Sequence, residues 1–139
     1  MEWRKGKIVT TEQVQRWLDD YRKAWETRDA DAAAALFTED ATYREQPYEE
    51  PYRGREGVHR YWSSVTATQS DIRFRVGKAV VTGTHAAAEW WVTLRNEGAE
   101  VTLAGEFFLE FDDAGLVHHL REYWHFAPGL LEPPTGWGL

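Results

Sequence analysis

Cysteine is absent from the 139 residues, which removes disulfides, thiolate metal sites and a cysteine nucleophile together. No apolar run approaches the ~18 residues that a membrane-spanning helix requires, so no membrane partner is expected. Positive charge is also scarce: 16 Lys and Arg stand against 23 Asp and Glu, a net charge of −7. That balance, with no basic cluster interleaved with aromatics, argues against a nucleic-acid partner. The opening Met1–Lys7 leads into polar sequence and lacks the apolar core of a signal peptide, so a cytoplasmic protein is expected. Nucleophile-elbow, phosphate-loop and dinucleotide motifs are missing too. Serine hydrolysis, nucleotide hydrolysis and hydride transfer are left without support, and no cofactor is expected.

Aromatic residues, by contrast, are abundant at 14%, with eight Trp. Such rings fill a core, line a cavity or form a subunit contact. Thr10 and Gln13 have the spacing of a capping box, and Val14, Trp17, Leu18, Tyr21 and Trp25 then recur every three or four residues. This is the apolar stripe of an amphipathic helix. Asp29 or Asp31 can cap a second helix through Ala32–Ala35 to Leu36 and Phe37. A loop fixed by Pro47 and Pro51 precedes a third helix, Gly57–Val65, with Val58, Tyr61, Trp62 and Val65 facing inward. From Ile72 the period changes from 3.6 to 2. Four strand-like stretches follow (Ile72–Thr82, Ala86–Leu94, Val101–Phe111 and Leu116–Phe126), separated by short turns that suit antiparallel hairpins.

Helices first and strands afterwards predict a single α+β domain over residues 1–139. A curved mixed or antiparallel sheet wraps around the N-terminal helices as a cone-shaped barrel with an internal pocket. The tail, residues 127–139, is irregular; Leu130, Leu131 and Trp137 can anchor it over the cone's mouth or on a partner subunit.

Within this frame Leu36–Glu45 is the most informative segment. A helix runs out into the acidic turn Thr38-Glu39-Asp40, and a short strand sets Ala41, Tyr43 and Glu45 on one face. A carboxylate on the apolar side of a strand is costly to bury without a partner or a task. Tyr21, on the first helix, is its expected partner across the hollow. The competing reading has Glu45 at the strand's end, paired with Arg44, Arg53 or Arg55.

The segments Trp25–Asp29, Leu36–Thr42, Tyr52–Gly57, Phe111–Gly115 and Glu122-Tyr123-Trp124 together resemble the nuclear transport factor 2-like superfamily over roughly residues 11–126. The likeness is nearest to its SnoaL-like polyketide cyclase and ketosteroid isomerase branches. Ketosteroid isomerase works with an acidic general base and an oxyanion hole of a tyrosine and a protonated aspartate. The resemblance implies that its base falls on Glu45, its tyrosine on Tyr21 and a pocket tryptophan on Trp124. The second oxyanion donor falls on Phe107, which cannot donate a hydrogen bond, so the isomerase constellation is broken there.

Strand parity offers a replacement: with Trp124 inward, Leu120, Glu122 and His118 follow it. The pocket then holds two carboxyls, Glu45 and Glu122, and crowding in an apolar cavity pushes at least one pKa upward. Glu122 has its own competing reading, a salt bridge to Arg121 or Arg73. Trp25, Tyr43, Trp62, Trp90, Phe107, His118, Leu120 and Trp124 are the expected lining for a small apolar ligand. His118, Glu122 and His125 lie close in sequence but lack a metal-site spacing, so no metal is expected. His119, Arg121, Tyr123 and His125 fall on the outer sheet face, where a homodimer contact is expected. The functional expectation is a cofactor-independent isomerase or cyclase with Glu45 as base, or else a dimeric, non-catalytic binder of hydrophobic ligands.

Overall fold

Thr10 closes the capping box with Gln13 and starts α1, Thr11–Glu26. The structure, a computed structural model, describes residues 8–139; the expectation about Met1–Lys7 lies outside the described residues. The apolar stripe of α1 is buried as the periodicity implies: Val14, Trp17, Leu18, Tyr21, Ala24 and Trp25 all face the core. Burial of each large side chain contributes about 1.5–3 kcal/mol. Arg28 adopts a left-handed conformation (φ 55) that stops the helix. Asp29 then caps α2, Ala30–Ala34, by accepting a hydrogen bond from the Ala32 N–H.

That second helix is shorter than expected. Leu36 and Phe37 leave it, and Phe37 already begins β1, Phe37–Arg44. The acidic stretch read as a turn, Thr38–Asp40, is an irregular part of this strand: the register with its neighbour shifts between Phe37 and Thr42. Tyr52 and Arg53 make a two-residue strand, β2, which pairs with β1 where a loop was expected. The third helix, α3, spans Gly54–Thr66 and buries Val58 and Trp62.

The stretch expected as one strand from Ile72 divides at Gly77 into β3, Gln69–Val76, and β4, Val80–Thr82. Three long strands complete the sheet: β5 His85–Asn96, β6 Ala99–Phe111 and β7 Val117–Pro128. The order is β2-β1-β7-β6-β5-β3, with β4 also on β5. Pairing is antiparallel except between β1 and β7, which run parallel, so the sheet is mixed. Gly105 faces Trp124 across the β6–β7 pair, and a Cβ there would stand 2.2 Å from the Tyr123 carbonyl oxygen. The absence of a side chain at this position lets the two strands approach.

The inner face packs on α1 and α3 through one aromatic cluster. Tyr21 meets Trp17, Trp25, Trp62, Phe74 and Phe107 at centroid distances of 5.2–6.3 Å. Trp25, Trp90 and Phe74 extend the cluster. The tail does not close the cone. It crosses the β3 edge, where Gly138 packs on Gly77, and lies on the outer face, with Trp137 edge-on to Trp91 at 5.9 Å. The Trp91 indole donates to the Leu131 carbonyl, which holds the tail in place. Among the described residues no helix is long and apolar enough to cross a membrane.

Candidate functional site

The alternation of β1 buries Ala41 and Tyr43 and carries Glu45 to the same side, just past the end of the strand. β7 runs alongside in parallel, with Tyr43 next to Leu120 and Arg44 next to Arg121. One further step in that register sets Glu45 beside Glu122. On the other flank, Glu122 lies directly opposite Phe107 of β6. The carboxyl acid missing at Phe107 is therefore present one strand across.

Glu122 is the buried acid, only 6% exposed. Its Oε1 accepts a hydrogen bond of 3.1 Å from the Tyr43 hydroxyl, and the Tyr43 and Tyr21 hydroxyls are 3.0 Å apart. With Tyr43 donating forward, Tyr21 donates to Tyr43, a chain running from α1 through β1 to β7. Burial raises the Glu122 pKa to about 8; the Tyr43 hydrogen bond opposes the shift and the charge of Glu45 adds to it. Neither Arg121 nor Arg73 pairs with it, so the salt-bridge reading of Glu122 is set aside. Burial, then the Glu122 charge, holds both tyrosines well above their ordinary range, so they act as neutral donors.

Glu45 is half-buried at the mouth. Its pKa is raised by burial and then by the neighbouring charge of Glu49, with Gln46 opposing. The arginines expected to neutralise it are engaged elsewhere. Arg44 donates to the Glu49 carbonyl, Arg53 to Glu50 and Arg55 to the Phe37 carbonyl. Glu45, Gln46 and Pro47 on one side, and Glu122, Tyr123, Trp124 and His125 on the other, line an open cleft of about 270 Å³.

Several expectations need correction. Tyr21 does not pair with Glu45: it is buried, and Tyr43 stands between it and the mouth. The hollow expected among Trp25, Tyr43, Trp62, Trp90 and Phe107 is filled by those rings themselves. The gap beside Tyr21, Trp25 and Trp62 has no room for a water molecule. Leu120 is a core residue, whereas Trp124 is half-exposed and forms the cleft wall. His118 is not inward. β7 carries a bulge where Phe111 pairs with Val117 and Glu110 with His119, leaving His118 as the extra residue. Parity resumes correctly from Leu120 but is reversed before it. The Trp62 indole N–H leans toward Tyr21 without hydrogen-bond geometry, and both it and the Trp90 N–H are buried donors without partners among the described residues.

Tyr43 was read only as a lining residue, and its role as the link between Tyr21 and Glu122 was missed. The signal available was the phenol's place on the same strand face as Glu45, two residues away. His118, Glu122 and His125, close in sequence but without a metal-site spacing, do not converge. A different one does: Glu110, His118 and His119 lie together on the outer face.

Residues 14–119 match the SnoaL-like domain family. No curated protein matches the chain. Among solved structures, one similar chain is a hypothetical protein with a ketosteroid isomerase-like fold from Catenulispora acidiphila DSM 44928, in complex with trimethylamine. It is 19% identical with a TM-score of 0.69, over 77% of this chain and 83% of that one. Another is SalBIII, an epoxide hydrolase/cyclase-like enzyme of pyran ring formation in the polyether salinomycin. It is 18% identical with a TM-score of 0.72, over 82% and 92% of the two chains. The chain belongs to the SnoaL-like domain family, and its fold is that of the nuclear transport factor 2-like superfamily.

Proposed function

We propose that this SnoaL-like chain is a cofactor-independent isomerase or cyclase acting on a small, apolar carbonyl compound, with Glu45 as general base. The observation that carries the reading is the unequal pair of carboxyls at one cleft, Glu122 buried and Glu45 at the rim. Environments that separate two like acids assign them opposite roles. Glu122 keeps its proton near neutral pH and donates a hydrogen bond to an oxygen that gains charge. Glu45 reaches solvent and accepts a proton.

The substrate's C–H bond next to its carbonyl breaks, and the proton passes to the Glu45 carboxylate. The electron pair moves onto the carbonyl oxygen, where the Glu122 acid stabilises it. Return of the proton to a different carbon completes an isomerisation; attack of the enolate carbon on a second carbonyl closes a ring, and the new alkoxide takes the proton back from Glu45. Tyr43 holds the Glu122 carboxyl in place and Tyr21 holds Tyr43, so Tyr21 is a positioning residue. A cleft of about 270 Å³ lies at the small end of ligand sites, which favours a compact substrate seated against Trp124. The same reading has the chain working in the cytoplasm as a homodimer joined through the outer sheet face.

The alternative is a binder that performs no chemistry, and the filled interior together with Phe107 at the donor position favours it. Glu45→Gln separates the two. Assayed on small enones and diketones, the variant loses turnover by at least ~100-fold while ligand affinity changes by less than about threefold. Unchanged turnover removes Glu45 as the base. Ligand binding by the wild type without any turnover supports the binder.

A further inference from the structure

We infer that the outer face of the sheet carries a site for a divalent transition-metal ion, built from Glu110, His118 and His119, with zinc the ion its donors suit best. Consecutive residues of a regular strand point to opposite faces. The β7 bulge suspends that rule at His118 and His119, and their rings lie together with centroids 4.0 Å apart. Glu110, opposite His119 on β6, completes a set whose ligand atoms all lie within 4.8 Å of one another.

The surroundings are those of a cation site. The His119 Nδ1 and the Thr42 Oγ1 are 2.6 Å apart, which orients the ring and leaves Nε2 for an ion. Such a hydrogen bond on the remote ring nitrogen is the usual support of a ligating histidine. Asp40 stands 3.6 Å from the His118 Nε2, and His85 3.7 Å from the second oxygen of Glu110. The carboxylates of Asp40 and Glu110 beside these imidazoles make the locality attractive to positive charge. Two histidines and one carboxylate are the ligand type of zinc sites that keep an open coordination position. Metal–ligand bonds of about 2.0–2.2 Å require the three donors to draw together, which rotation of half-exposed side chains allows. Glu110 and His119 also line a groove of about 310 Å³, together with Thr82, Phe108 and Arg121. The site is independent of the cleft chemistry.

The test is titration of the full chain, stripped with a chelator, with zinc chloride by calorimetry and with cobalt(II) by visible absorption. The result expected is one ion per chain at micromolar or tighter affinity, with a cobalt spectrum of low coordination number. His118→Ala or His119→Ala weakens binding at least ~100-fold, and Thr42→Val weakens it about tenfold. His59→Ala, on α3, leaves it unchanged. Glu110→Gln retains the side chain's shape and guards against a folding artefact, with circular dichroism of each metal-free variant as a check. Binding only at millimolar zinc, or equal binding by the wild type and both β7 histidine variants, overturns the assignment.

Discussion

At Glu122 the fold holds an ionisable group where its charged form is disfavoured, and the consequence is measurable. Folded Glu122 keeps its proton up to about pH 8, while a free glutamate loses it near 4.5. Between those values the folded chain binds one proton more than the unfolded chain. The stability this supplies is complete below pH 4.5 and is lost as pH rises through 8, on the order of 5 kcal/mol in all. Glu122→Gln removes the ionisation while keeping a polar group for Tyr43. In urea denaturation the variant is expected to match the wild type near about pH 5 and to exceed it near about pH 9. Equal pH profiles for the two proteins count against a buried, protonated carboxyl. Glu45 differs for a plain reason: β1 stops at Arg44, and the chain turns away at Gln46-Pro47 before Glu45 can be enclosed.

Among the elements, β7 decides the site. Its bulge lies between Val117 and His119, so everything after it follows simple alternation and everything at it does not. Leu120 and Glu122 were thus readable from parity, and Trp124 at the mouth followed as well. His118 was misread because a bulge leaves no mark in a hydrophobic pattern. α1 was legible almost to the residue, since a capping box and a strong apolar stripe both report local physics. The β1–β7 pairing was not legible, because parallel neighbours are chosen by the tertiary arrangement rather than by a turn between them. The filled interior escaped for a related reason: the sequence counts rings but not how closely they interlock. β6 supplies a direct check of the close approach that shapes the cleft wall. Gly105→Ala places a Cβ 2.2 Å from the Tyr123 carbonyl oxygen, so the strands must separate. The expected loss is more than about 2 kcal/mol of stability, read in chemical denaturation, together with a shift of the Trp124 fluorescence. An alanine variant as stable as the wild type contradicts this packing.

For the whole molecule, one sheet serves two surfaces. Its inner face is closed by α1, α3 and the aromatic cluster, with the cleft between Glu45 and Glu122 open at the rim. Its outer face is covered by the tail near Trp91 but leaves Tyr123 45% exposed and its neighbour Phe108 40% exposed. Apolar area of this kind on an open sheet supports the proposed homodimer. Replacing Tyr123 and Phe108 with Asp is expected to convert a dimer to a monomer in sedimentation, with the secondary structure unchanged. A wild type that sediments as a monomer at micromolar concentration removes the dimer while leaving the cleft intact. The cleft itself depends on unequal surroundings for two acids, and the ionisation of the inner one tests that claim most directly. Carbon-detected NMR titration of the Glu122 side-chain carboxyl is predicted to give a midpoint near 8, moving higher in Tyr43→Phe as the hydrogen bond to the carboxylate is lost. A midpoint near 4.5, indifferent to Tyr43, contradicts the account.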